Sequence, residues 1–288
     1  MIPPSFEYHA PRSVGEALQL LSTLGTDAKL LAGGHSLLPM MKLRFAQPAH
    51  LIDLNRIDAL RGITDQGAKV VIGAMTVETD ILNSELLQSR VPLLPEAVQY
   101  IADPQVRNRG TIGGDIAHGD PGNDHPALSL AIEATFTLQG PNGERQVAAD
   151  DFYLGTYQTA LADDEILTRI TVPAFAPKTG YAYEKLKRKT GDWATAGAAV
   201  VMRLDAQGQV SHVRIALTNV APTAIRAKDA EAALMGRAIT DAGVDAAAAA
   251  AAAVCDPAED LRGDREYKTA MAAAMVRRAI RKAAARCA

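Results

Sequence analysis

The chain has 288 residues and 30.5 kDa, 48% of them hydrophobic, 22% charged and 5% aromatic, with a formal charge of −3. That is the composition of a soluble globular protein with room for two domains, and it provides no overall attraction for nucleic acid or anionic lipid. No apolar run is long enough to span a bilayer, the N-terminus has no basic and apolar leader, and Cys255 and Cys287 are too few for an iron–sulfur cluster or a structural zinc site. A cytoplasmic protein is expected, and any redox chemistry in it requires an organic cofactor.

In chain order, Ser13 and Glu16 stand at capping-box spacing before an apolar-periodic run, and Gly25 follows it, so a helix is predicted over 14–24. Strands are predicted at 28–31, 51–54 and 70–73, and helices at about 76–83 and 93–102, the second broken by Asp103-Pro104. A helix beginning at Pro126 runs to 134, and a hairpin at 136–147 turns on Pro141-Asn142-Gly143, with Asn-Gly supplying positive φ angles. A strand at 166–172 ends at Pro173, and 174–180 is the best linker. Three strands follow at 181–186, 194–204 and 210–217, and the remainder, including eight alanines from 246 to 253, reads as helix. The fold class is α+β, with domains at 1–177 and 178–288, the first dividing into a small α/β part (1–55) and a larger antiparallel part (56–177).

Two glycine pairs carry the chemical information: Ala32-Gly33-Gly34-His35-Ser36 and Thr111-Ile112-Gly113-Gly114-Asp115, 80 residues apart. Glycines admit close approach of the backbone to an anion, successive N–H groups form a concave donor set, and Ser36 or Thr111 adds a hydroxyl. Two such loops suit a diphosphate, although each alone also fits a tight turn. Neither has the three-glycine dinucleotide fingerprint or a P-loop lysine. His118 and His125 flank Asp120 and Asp124 at no standard metal spacing, so no metal is assigned. From Leu261 onward there are eight basic and two acidic residues. This excess complements the dipole of the last helix, or else faces an acidic partner, and no helix-turn-helix pattern supports nucleic acid.

The longer strings carry more. Leu31 to Pro39, then Gly110 to Asp115 with Gly119-Asp120-Pro121 and Asp124, then Tyr183 to Ala194, and finally Leu217 to Thr223 follow one another along almost the whole chain. In that order they resemble the FAD-binding medium subunits of molybdenum hydroxylases, a family shared with xanthine dehydrogenases. The likeness is narrowest to the aerobic carbon monoxide dehydrogenase branch.

The resemblance implies an N-terminal domain of the vanillyl-alcohol-oxidase (PCMH) type. It also implies a smaller C-terminal domain with a three-stranded antiparallel sheet and a helical bundle. The cofactor would be noncovalent FAD, with the molybdenum cofactor in a large partner subunit and iron–sulfur clusters in a small one, as a dimer of heterotrimers. Electrons would pass from the clusters through FAD to an acceptor such as a quinone, in the cytoplasm or at the inner face of the membrane. Ala32, Gly33, Gly34, His35 and Ser36, with Thr111, Ile112, Gly113, Gly114 and Asp115, would cradle the diphosphate mainly through N–H groups. Asp124 would accept from a ribityl or ribose hydroxyl, Ile101 and Ala102 would lie close to the isoalloxazine, and Lys185, or Lys187 if the register slips, would sit near its pyrimidine edge. Asp115 and Asn219 depart from the family pattern, which has asparagine and glycine there. Trp193, the only tryptophan, is expected to cover the flavin, with a core or subunit-anchor role as the alternative. No side chain is assigned as general acid or base. The competing readings are a self-contained FAD oxidoreductase and a noncatalytic nucleotide-binding module.

Overall fold

The computed structural model describes residues 2–287. Strands Glu7–His9, His50–Asp53 and Ala28–Leu31 form a parallel sheet in that spatial order. The helix Val14–Leu24 packs on this sheet through Ala17 and Leu21. Its capping holds at both ends: Ser13 Oγ accepts from the Glu16 N–H at 3.1 Å, and Gly25 takes a φ of 58°.

A second sheet, wholly antiparallel, runs Ile63–Asp65, Lys69–Gly73, Ile166–Pro173, Thr135–Gly140 and Gly143–Ala148. The hairpin differs from the expectation in one respect. Gly140 pairs with Gly143, so the loop is Pro141-Asn142, and of the three turn residues only Gly143 has a positive φ (103°). The predicted helix over 93–102 is shorter, Leu93–Val98, and the chain turns at Ala102, whose φ is 43°. Asp103 then caps a further turn, Pro104–Arg107, through the Val106 N–H. The helix predicted from Pro126 begins at Asp124 and holds the proline in its first turn.

The third sheet runs Gly180–Leu186, Ala196–Leu204, Val210–Thr218 and Ile225–Arg226, all antiparallel. It has four strands rather than the expected three; the two-residue edge strand is too short to show a period in sequence. Its central strand is apolar at nearly every position because both faces are buried. Ala199 and Val201 join the core that includes Phe136, Leu128 and Ile112, whereas Ala198, Val200 and Met202 join the core beneath the helices Asp241–Ala253 and Arg265–Ala285. The alanine run lies in the first of these helices, where Ala247, Ala248 and Ala251 are buried.

Candidate functional site

A cavity of about 870 Å³ opens between the first two sheets and the start of the third, within the usual range for small-molecule sites. The two glycine pairs meet on it. Ala32, Gly33, Gly34, His35, Ser36, Ile101, Ala102, Thr111, Gly113, Gly114, Asp115, Asp124, Lys185 and Trp193 all line it. Ile112 does not. Its side chain is in the hydrophobic core and its N–H donates to the Thr76 carbonyl.

The first pair follows the strand Ala28–Leu31 and precedes the helix Leu37–Lys42. Asn55, fixed by Asp53 Oδ1 at 2.6 Å, donates from Nδ2 to the Ala32 carbonyl at 2.9 Å and so pins the loop. Among the described residues, the N–H groups of Gly33, Gly34, His35 and Ser36 have no protein acceptor, which leaves four consecutive donors on a cavity-lining segment.

The second pair behaves differently. It is the first turn of the helix Ile112–His118, capped by Thr111, whose Oγ1 accepts from the Gly114 N–H at 3.2 Å. The N–H groups of Ile112, Gly113 and Asp115 donate to Thr76, Ala74 and Thr111 carbonyls. Among the described residues, the free N–H donors of the two segments therefore lie on the first loop. The second contributes the Thr111 hydroxyl proton and open space, because a Cβ on Gly114 would meet Thr111 Oγ1 at 2.8 Å and the Ala32 Cβ at 3.2 Å. Gly33 and Gly113 answer to packing within the protein. A Cβ on Gly33 would lie 2.4 Å from the Arg109 carbonyl oxygen, and one on Gly113 would lie 2.5 Å from the Ala74 Cβ.

Beneath the second loop lies a buried ionic cluster. His125 Nε2 meets the two Glu78 carboxylate oxygens at 3.0 and 2.8 Å, with both side chains almost fully buried. Burial pushes the imidazole down, but the Glu78 charge and hydrogen bond, with help from Asp115 and Asp124, outweigh it and raise the pKa to about 9. Lys185 Nζ donates to Asp124 Oδ2 at 2.6 Å, and the Tyr183 hydroxyl donates to Asp124 Oδ1. Both oxygens of Asp124 thus have protein partners, and the side chain holds Lys185 in place. Lys187 is outside the lining and donates to the Tyr100 carbonyl at 3.0 Å, where Lys185 also reaches at 3.3 Å. Burial first, and the neighbouring Lys185 charge second, depress the Lys187 ammonium.

Trp193 is 50% exposed at the cavity edge, which removes the core alternative. The Arg262 guanidinium lies 5.4 Å from its ring centre, and Arg262 Nη2 also donates to Asp192 Oδ1 at 2.7 Å. Asn219 adopts φ 60°, a conformation natural to glycine and tolerated by asparagine, and its N–H donates to the Pro121 carbonyl at 2.8 Å. Its side-chain amide donates to the Ala194 carbonyl, so one residue ties the 119–123 loop to the tryptophan segment. Sequence reading missed the parts played by Asn55, Glu78 and Tyr183. Little local marks them, because Ala32, His125 and Asp124, which they reach, are distant in the chain.

Residues 4–175 match the family model described as "FAD binding domain in molybdopterin dehydrogenase", and 181–283 match "CO dehydrogenase flavoprotein C-terminal domain". The chain belongs to this family of FAD-binding subunits of molybdenum-dependent dehydrogenases, and it is an oxidoreductase subunit. It is 69% identical over 288 residues, the full length of both, to the carbon monoxide dehydrogenase medium chain of Hydrogenophaga pseudoflava. It is 50% identical over 286 residues, 99% of both, to that of Afipia carboxidovorans. Its fold superposes with a TM-score of 0.99 on a chain of the Hydrogenophaga pseudoflava carbon monoxide dehydrogenase structure, at 72% identity and full coverage of both chains. It superposes at 0.94 on a chain of quinoline 2-oxidoreductase from Pseudomonas putida, at 34% identity and 99% coverage of both.

Proposed function

We propose that this chain is the flavoprotein subunit of an aerobic carbon monoxide dehydrogenase and holds one noncovalent FAD in the cavity described above. The observation that carries the reading is the meeting of the two glycine segments on one cavity, with four consecutive free N–H donors facing a capped helix turn. The residues fit the cofactor: N–H donors and the Thr111 hydroxyl suit a diphosphate, the cavity is long and mostly apolar, and Lys185 supplies a fixed cation. When bound, FAD supplies the redox chemistry that links the partner subunit's iron–sulfur clusters to an acceptor such as a quinone.

The chain's own residues bind, orient and exclude. Gly33 to Ser36 donate to phosphate oxygens, and Asn55 keeps that loop in place. Asp124 and Tyr183 hold Lys185 in one rotamer at the cavity wall, where its charge favours added negative charge nearby. Ile101 and Ala102 give an apolar surface, and Trp193 closes one edge. The large molybdenum-binding and small iron–sulfur subunits complete the enzyme as a dimer of heterotrimers, in the cytoplasm or against the inner face of the membrane.

The test is anaerobic addition of carbon monoxide to the chain alone and to its complex with the two partner subunits, following flavin absorbance. Bleaching is expected only in the complex. Bleaching of the isolated chain indicates a self-contained enzyme, and a complex that releases no flavin on denaturation removes the flavin reading. Acid precipitation should leave the flavin in the supernatant, since no histidine or cysteine is placed by motif for covalent attachment.

A further inference from the structure

The first sheet carries a cluster of metal-ligating side chains away from the flavin cavity. Glu7 and His9 are alternate residues of its edge strand and so point to one face. His50, on the central strand, stands in register with Glu7, and Ala28 occupies the same row on the third strand. That row shares its face with Ile52, which belongs to the core under the helix Val14–Leu24, so both imidazoles are half-buried while Glu7 reaches solvent. His9 Nε2 lies 3.2 Å from His50 Nδ1, and Glu7 Oε2 lies 3.5 Å from the same His50 nitrogen. One ligand atom from each residue falls within 4.8 Å of the other two. Among the described residues, the only ion pair of Glu7 is with His50. One ring proton can serve two of these three lone pairs; a divalent cation serves all three.

We propose that Glu7, His9 and His50 form a site for one divalent transition-metal ion of the zinc class, which clasps the N-terminal edge strand to the centre of the sheet. Zinc takes imidazole nitrogen at about 2.0–2.1 Å and carboxylate oxygen at about 2.0–2.2 Å, so the corners of its tetrahedron lie roughly 3.3–3.5 Å apart. The two separations at His50 already have that size. The exposed Glu7 side chain has the rotamer freedom to close the remaining edge, and the fourth corner is left to water. Two imidazoles with one carboxylate favour zinc, nickel or copper over magnesium or calcium, which take oxygen ligands. The clasp has something to hold, because the edge strand is three residues long and pairs on one side only. On its opposite face Tyr8 donates to Asp53, which fixes Asn55 and through it the Ala32 carbonyl of the first glycine loop. None of the three ligands lines the flavin cavity, so the inference stands apart from the flavin reading.

The experiment uses the full chain, freed of metal by a chelator, with zinc chloride as the probe. Calorimetric titration should give one zinc per chain, and added zinc should raise the melting temperature in a concentration-dependent way. Magnesium chloride at the same concentrations should do neither. His9→Gln and His50→Gln should each weaken zinc binding at least about tenfold, since a direct ligand counts for no less than the residues that support one. His212→Gln, on the third sheet, should leave the affinity unchanged. A second measurement needs no variant: diethyl pyrocarbonate labels accessible imidazoles, and peptide mass locates the label. Zinc should shield His9 and His50 and leave the exposed His35 reactive. Weak uptake of several ions per chain, unaltered by the two substitutions, would mean an adventitious ion only and overturn the proposal. Equal labelling of His9 and His50 with and without zinc would overturn it as well, and it decides the matter if the variants do not fold.

Discussion

Gly33 and Gly114 look alike in sequence and do different work. A side chain at Gly33 collides with the Arg109 backbone, a contact that cannot give way cheaply. Gly33→Val should therefore lower the melting temperature and flavin content together. Gly114→Ala instead adds a methyl group between the loops, so flavin occupancy, read as the ratio of visible to ultraviolet absorbance, should fall with a smaller loss of thermal stability. Trp193→Ala should brighten bound FAD, because an aromatic ring beside the isoalloxazine quenches its emission; unchanged emission with FAD retained would assign the residue to structure or an interface. Asp115 and His125 also give a signed pH effect on the flavin-free protein. Asp115 has a folded pKa of about 8 against an ordinary 3.8, and His125 about 9 against 6.5. Both bind more protons folded than unfolded, so both make stability fall as pH rises. The Asp115 contribution declines between about 4 and 8. The His125 contribution is complete below about 6.5 and is lost through about 9. Thermal melting across this range should show the decline, and Asp115→Asn should remove its lower part.

Among the elements, the final helix shows why the basic C-terminus was ambiguous in sequence. Its excess charge turns neither to solvent alone nor to a nucleic acid. Arg277 pairs with Asp245 and Arg281 with Asp241 on the alanine-rich helix, while Lys282 and Arg286 both reach Glu96 at 2.9 and 2.7 Å. Glu96 lies on Leu93–Val98, so the pairs join the last helix to a helix far earlier in the chain. They are partly exposed, and screening limits their value to roughly 1 kcal/mol. Glu96→Gln should lower the melting temperature by about 2 °C, with the difference shrinking in high salt. Elements whose signal is local were legible: the Ser13 cap, the Pro173 stop and the apolar run at 196–202. The short helices Glu85–Arg90 and Pro104–Arg107, and the edge strand at Ile225, were not, since their existence depends on what they pack against. The capped turn at Thr111 had a readable signal, a threonine three residues before a small one, but the glycine pair drew attention to a loop instead.

Across the whole molecule, the cavity is where separately matched segments converge, because Lys185 and Trp193 come from the third sheet and its connection whereas the glycine segments belong to the first two. Ligand binding there stabilises the folded state in proportion to occupancy. Removing flavin should lower the melting temperature of the complex, and adding FAD should restore it in a concentration-dependent way. The chain's order of motifs made this convergence legible, whereas the ionic floor was not: Glu78 and His125 lie 47 residues apart and Asp124 and Lys185 61, and no local pattern announces which acid finds which base.

The contact between Gly33 and the Arg109 carbonyl also bears on how a ligand exchanges. Where two backbones already approach this closely, the walls of the slot cannot close down further upon a ligand. The open side of the slot is its rim, where the half-exposed Trp193 sits on a segment held by Arg262 and Asn219. Loosening that rim, as by Trp193→Ala, should therefore change the rate at which FAD leaves more than it changes the contacts of FAD with the phosphate-binding walls.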